Sequence, residues 1–247
     1  MLCNTAQQAG ARSMEKVVAY HLPGAWGLVS VSPFCLKLDA FLRMTGTPHD
    51  AVTTPTPFGG PKRKAPWIEH EGRKIGDSTH IIHYLKERFG VDPNHGLSAG
   101  QQGMALAIQR MIEENLYWVM VNDRWNTPEN WPILKSTVLG SLPRLPRELL
   151  APIARRGVMK QLAGHGMGKH SAQEIAAAGT RDIDALAAIL GDKPWFFGDE
   201  PTETDAVAYG QLANIHSVGF SSPMKAVIAG HANLVSFIER FAARYYP

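Results

Sequence analysis

The sequence predicts an α/β domain in the first third of the chain, followed by a domain built only of helices. Three observations predict it. Strand-like and helix-like patterns alternate between residues 16 and 90. A stretch holding Asp92, Pro93, Asn94 and Gly96 follows and reads as a linker. Beyond it the apolar spacing becomes helical and stays so. At 247 residues the chain is long enough to bury a sizeable core in one or two domains.

Val17, Val18, Ala19 and Tyr20 form an apolar run, read as a buried strand over 16–22. Turn chemistry follows at Pro23, Gly24 and Gly27. Ser32 precedes Pro33, and proline suits a first helical turn, where its missing N–H costs nothing. Ser32 is therefore the expected N-cap. Phe34, Leu38, Phe41 and Leu42 recur at helical spacing until Gly46 and Pro48 stop the helix. A helix N-terminus just after a strand is a place to hold an anion or a thiolate. Taken alone, Ser32 reads more simply as a cap.

Residues 50–54 give a short second strand, and the three prolines and two glycines of 55–61 require a loop. Residues 65–70 and 73–75 read as two strands joined by the tight turn Glu71-Gly72. Pro66 at a strand head fits an edge or a special bend, with cis among its options. Asp77 and Ser78 cap a helix through Ile81, Ile82, Tyr84 and Leu85 that ends near Gly90.

In the helical half, Met104, Ile108, Met111, Ile112 and Leu116 make one stripe, joined by the aromatics Tyr117, Trp118, Trp125 and Trp131. Residues 128–146 are broken by prolines and are expected to be a connector. Ile183, Leu186, Ala187 and Leu190 mark a helix closed by Gly191 and Asp192. Thr202 and Asp205 have capping-box spacing, and 206–215 is nearly all apolar or small, which predicts a helix buried on every side. A last helix is expected over 223–245.

The formal net charge of +3 is too small to argue for nucleic acid, and the densest basic run, Lys62-Arg63-Lys64, is only a short loop segment. Two cysteines, Cys3 and Cys35, make no disulfide framework, so a reducing, cytoplasmic setting is expected. Residues 1–15 read as a flexible extension without a signal core, with Met14 as an alternative start. No apolar run has membrane-spanning length, and no membrane partner is expected. The glycine-rich run 164–170 fits neither a phosphate loop nor a dinucleotide fingerprint, and reads as a loop before a helix. His80 and His83 share a helix face without a third ligand at a suitable spacing, so no metal is expected.

The combination of Ser32-x-x-Cys35, Ala65-Pro66 and Asp77-Ser78, in that order, resembles the thioredoxin-fold domain of the glutathione S-transferase superfamily. Thr202 to Asp205 resembles the capping box of that family's helical domain, so the resemblance covers nearly the whole chain. Segments 28–38, 41–44, 64–68 and 195–199 together are similar to the failed-axon-connections and metaxin-like branch. Two departures stand out: a longer loop over 23–31, and no regular second helix before Pro66.

The resemblance implies a thioredoxin-like α/β domain plus an all-α domain, the glutathione transferase fold. It divides the chain into an extension 1–15, a glutathione-binding domain 16–90, a linker 91–98 and a helical domain 99–247. It implies glutathione as co-substrate, no metal, and conjugation to a small hydrophobic electrophile or reduction of a peroxide. Ser32 is the first choice for stabilising the thiolate and Tyr20 the second. Cys35 is either buried and inert or able to form a mixed disulfide. Ala65, presented by a cis Pro66, would pair with the cysteinyl segment as an added strand does. Asp77 would meet the γ-glutamyl ammonium, Ser78 its carboxylate, and Lys64 the glycyl carboxylate. Tyr117, Trp118 and Met120 would line the electrophile pocket or serve as core. A homodimer is the family's usual assembly. The alternative implied by the metaxin-like relationship is a binding or assembly protein on the same fold, without turnover.

Overall fold

The computed structural model describes residues 16–140 and 142–247; the expected extension 1–15, with Cys3 and Met14, lies outside the described residues. The first part is one four-stranded sheet in the order β2-β1-β3-β4. Its strands are β1 (Val17–His21), β2 (His49–Thr53), β3 (Trp67–His70) and β4 (Arg73–Gly76). β1 pairs in parallel with β2, whereas β3 is antiparallel to both β1 and β4. β1 and β4 therefore run the same way, and their C-terminal ends lie at one end of the sheet. β3 starts at that same end, because Trp67 faces both Tyr20 and Gly76 in the ladder.

Helix α1 (Pro33–Thr45) leaves that end, and so does α2 (Ser78–Phe89). Both stop at glycines in the left-handed region, Gly46 and Gly90, as their C-terminal signals require. They cover the sheet face that carries Val17, Ala19 and Ile68, and Leu36, Phe41, Ile81 and Leu85 complete this core. Each such fully buried side chain contributes about 1.5–3 kcal/mol. On the opposite face a single 3-10 turn (Pro57–Gly59) replaces a helix, consistent with the three prolines of the segment.

The second part holds α3 (Ala99–Arg110), π-helical turns (Met111–Leu116), α4 (Tyr117–Trp125), α5 (Trp131–Val138), α6 (Arg144–His165), α7 (Ala172–Leu190), α8 (Glu203–His216), α9 (Pro223–Gly230) and α10 (Ala232–Tyr245). The capping box is present: Asp205 accepts from Thr202 N, Thr202 Oγ1 and Phe196 N at 2.7–2.9 Å. From Glu203 to Ile215 every residue of α8 is buried. α1 packs more extensively on α8 than on any other element. Gly210 permits the approach: a Cβ there would lie 2.6 Å from Pro33 O and 3.0 Å from Lys37 N.

Three expectations need correction. Residues 128–146 are not a connector, because α5 and the first turn of α6 occupy most of them. Pro132 and Pro146 sit in first turns, where no intrahelical N–H is needed. The last helix is two, broken at His231, whose backbone is extended and whose ring meets Asp184 at 2.8 Å. Met104 is 50% exposed, and Ala105 takes the buried place beside Ile108, Ile112 and Leu116. Among the described residues, no helix is long and apolar enough to cross a membrane.

Candidate functional site

Three chain features meet at one end of the sheet: the N-terminus of α1, the head of β3 and the N-terminus of α2. The first is capped by Ser32, whose Oγ accepts from Cys35 N at 3.4 Å. Capping uses a lone pair, so the Ser32 O–H proton remains available to an acceptor. The second is the cis Ala65–Pro66 bond. The third is capped by Asp77, which accepts from Thr79 N at 3.0 Å and His80 N at 3.4 Å. Asp77 N donates back to Pro66 O at 3.4 Å, tying the second feature to the third. Asp77 holds φ +87°, an uncommon conformation for a residue with a Cβ. Its carboxylate is half exposed and lies 3.8 Å from Lys62 Nζ. Ser78 is buried, whereas Lys64 is exposed on the loop before Ala65.

The Cys35 thiol is buried at the first turn of α1. The nearby Ser32 and Ser30 hydroxyls and the Leu22 backbone favour its ionised form, yet burial outweighs them and pushes its pKa up. That makes it a poor nucleophile. Tyr20 is placed differently from Ser32. Its ring stacks on Trp67 at 4.8 Å, and Trp67 lies against Gly59 and Gly60. By strand alternation both rings face the proline-rich loop, away from the α1 side of the sheet. The structure thus brings Ser32, Pro66, Asp77 and Ser78 to one end, and sets the Tyr20 ring aside in packing.

Two groups escaped the sequence reading. Lys37 is fully buried, donating to Glu113 Oε1 at 2.7 Å and Thr79 Oγ1 at 3.0 Å. Gln109 donates to the same Thr79 oxygen and to Glu113 Oε2. This set joins α1, the α2 N-terminus and the π-helical turns. The available signal was a lysine inside the stripe of Phe34, Leu38 and Phe41. The second is Arg124, also buried, which donates to Val31 O at 2.7 Å.

Beyond Ser32 an aromatic series runs outward. Phe34 meets Tyr117 at 4.8 Å, Tyr117 meets Trp118 at 5.2 Å, and Trp118 stacks on His165 at 4.8 Å. Met120 is core and takes a contact from Gln211. His80 and His83 are both exposed, and among the described residues no group of three metal-ligating side chains converges.

Comparison with known proteins agrees with this geometry. Residues 33–130 match the glutathione S-transferase N-terminal domain, and 179–241 match the C-terminal domain. The chain is 32% identical to the isoprene-epoxide–glutathione S-transferase of Rhodococcus sp. (strain AD45), covering 93% of this chain and 99% of that protein. It is also 32% identical to failed axon connections of Drosophila melanogaster over 89% of this chain, but spans only 56% of that protein's length. A metaxin-1 homolog of the same fly is 26% identical over 90% of the chain, which spans 70% of that protein. Among solved structures, glutathione transferase GSTFuA3 of Phanerochaete chrysosporium superposes with TM-score 0.66 at 16% identity, covering 95% of this chain and 99% of that one. A Methylobacterium radiotolerans glutathione S-transferase in complex with glutathione sulfonate gives 0.63 at 18% identity, covering 93% and 92%.

Proposed function

Because the chain belongs to the glutathione S-transferase family, we propose that it binds glutathione at the shared end of the sheet and conjugates it to a small electrophile. The observation that carries this reading is the meeting of two capped helix N-termini with a cis-proline strand head, joined by the Asp77 N to Pro66 O hydrogen bond. Each group then has a task. The Ala65 backbone pairs with the cysteinyl segment. Asp77 takes the γ-glutamyl ammonium, Ser78 and the α2 N-terminus take its carboxylate, and Lys64 reaches the glycyl carboxylate. Ser32 donates its O–H to the glutathione sulfur.

A thiol near pKa 8.5 is only about 3% ionised at pH 7, so each unit of depression raises the thiolate roughly tenfold until ionisation is nearly complete. With an epoxide, the C–S bond forms as the C–O bond breaks, and water protonates the alkoxide. The Rhodococcus relative, named for isoprene epoxide, makes a small epoxide the first electrophile to assay. Peroxide reduction at the same sulfur, a homodimer and a cytoplasmic setting complete the reading.

Retention on immobilised glutathione tests binding, and Asp77→Ala should weaken it about tenfold or more, one charge-assisted contact being worth about 1.5–3 kcal/mol. Ser32→Ala should lower the conjugation rate about tenfold while glutathione binding stays within about threefold. A folded protein that is not retained would sink the glutathione reading. Retention without turnover of epoxide, aryl halide or peroxide would favour the binding-or-assembly alternative, which the likeness to failed axon connections supports.

A further inference from the structure

Arg124 is central to the contacts by which the helical domain holds the loop over 23–31. Arg124, next to last in α4, is 4% exposed. Its Nη1 donates to Val31 O at 2.7 Å. Its Nη2 donates to Asn214 O at 2.5 Å and to Asn214 Oδ1 at 3.1 Å. Asn214 in turn donates to Ser30 O at 3.4 Å and Gly210 O at 3.1 Å. The guanidinium lies over the Trp26 ring at 5.5 Å, and Trp26 meets Phe220 edge-on. Every partner of Arg124 is thus neutral, and its Nε is buried without a hydrogen bond.

A buried cation normally has a carboxylate beside it. Among the described residues Arg124 has no carboxylate ion pair. Asp123 lies next to it in sequence, but its carboxylate is held by Asn130 and Ser222. Tyr117, at the start of α4, is the other titratable group facing Arg124; burial raises its pKa, so it is a neutral phenol. α8 and the 23–31 loop present only neutral contacts, Asn214 and Trp26. Burial pulls the pKa of Arg124 down to about 10, so it stays protonated at neutral pH. The result is a buried positive charge without a direct ion pair, hydrogen-bonded to the carbonyl just before Ser32.

We propose that Arg124 is a positioning residue for the thiol site: it fixes the Ser30–Ser32 turn and, through its bond to Val31 O, sets a buried positive charge beside the residue that receives the sulfur. The inference rests on the glutathione reading above. It also gives the longer 23–31 loop a purpose, because that loop supplies the carbonyl, the ring and the serines that this cation organises. A cation near a thiol favours the thiolate, and at an effective dielectric near 20 a full charge about 12 Å away shifts a pKa by about one unit.

The test is the ionisation of glutathione in the binary complex, followed by the ultraviolet absorbance of the thiolate, beside calorimetric affinity for S-methylglutathione, which has no thiol to ionise. Arg124→Met should raise the bound thiol's pKa by about one unit, and S-methylglutathione affinity should change less than about threefold. Arg124→Lys should restore most of the depression, because it keeps the charge. Asp123→Asn removes the neighbouring negative charge and should lower the bound thiol's pKa by a few tenths. An unchanged thiol pKa in Arg124→Met overturns the inference, as does an equal loss of affinity for both peptides, which would mark a purely structural clamp. Should Arg124→Met fail to fold, Asp123→Asn decides alone, and no shift there overturns it. A wild-type protein that binds neither peptide refutes the glutathione reading itself, an outcome distinct from binding with an unmoved pKa.

Discussion

Ser32 serves the chain whether or not a thiol arrives. Its cap on Cys35 N is worth about 1 kcal/mol, so Ser32→Ala should cost that much stability besides its effect on rate. The neighbouring Cys35 looks reactive by position, one turn into a helix, and unreactive by surroundings. It is 1% exposed, and burial raises its pKa. In a Cys3→Ser background, a disulfide reagent at pH 8 should therefore titrate no thiol in the native protein and one after denaturation. Rapid native modification would revive the mixed-disulfide reading. The sequence already showed Ser32, Pro66, Asp77 and Ser78, because caps and strand heads are local features that short-range residues specify. It could not show Arg124 or Lys37. Their partners lie 90 and 93, or 42 and 76, residues away, and only the packed fold brings them together.

The capping box that starts α8 is the element whose role in stability is plainest. Asp205 is fully buried and satisfies three donors. Asp205→Ala should destabilise by about 3 kcal/mol or more, since it leaves buried N–H groups unpaired. Its titration gives a sharper check. Burial raises the Asp205 pKa to about 6, above an unfolded carboxylate near 3.9. The folded state then binds the proton more readily, so Asp205 adds stability below pH 4 and loses it as pH rises through about 6. Compared with Asp205→Asn in urea melts, wild type should gain about 1 kcal/mol between pH 7 and pH 5. A gap that shrinks instead would mean that the three donors hold the carboxylate ionised. Elements were legible where caps and cores agreed, as in α1, α2, α7 and α8. They were hidden where prolines sat in first turns. α6 shows why: Leu145, Leu149 and Ile153 recur at helical spacing, but all three are exposed and so announce no core.

Across the whole molecule, the contact of α1 with α8 decides whether the two parts act as one. The chain places Gly210 where the α1 backbone passes, and a buried ion pair, Lys37 with Glu113, crosses the same seam. The two-part fold itself was readable from the change of period near residue 99, because each part has its own local signals. The seam was not, because a glycine in a small-residue helix and a lysine in an apolar stripe are ambiguous until their neighbours are known. Gly210→Ala gains about 1 kcal/mol of helix propensity, yet must push Pro33 O and the Lys37 backbone away. Net destabilisation of about 1–3 kcal/mol is expected, with weakened glutathione binding because the first turn of α1 moves. For the ion pair, Lys37→Met alone should cost about 3–5 kcal/mol by stranding Glu113 beside Thr79 and Gln109. Lys37→Met with Glu113→Leu should recover most of that loss, since two apolar groups need no partners. Stability regained by the double variant with glutathione binding still impaired would show that the pair orders the α2 N-terminus through Thr79. Both regained together would make it only a fastening between domains. A double variant as unstable as Lys37→Met would contradict the electrostatic account of the seam.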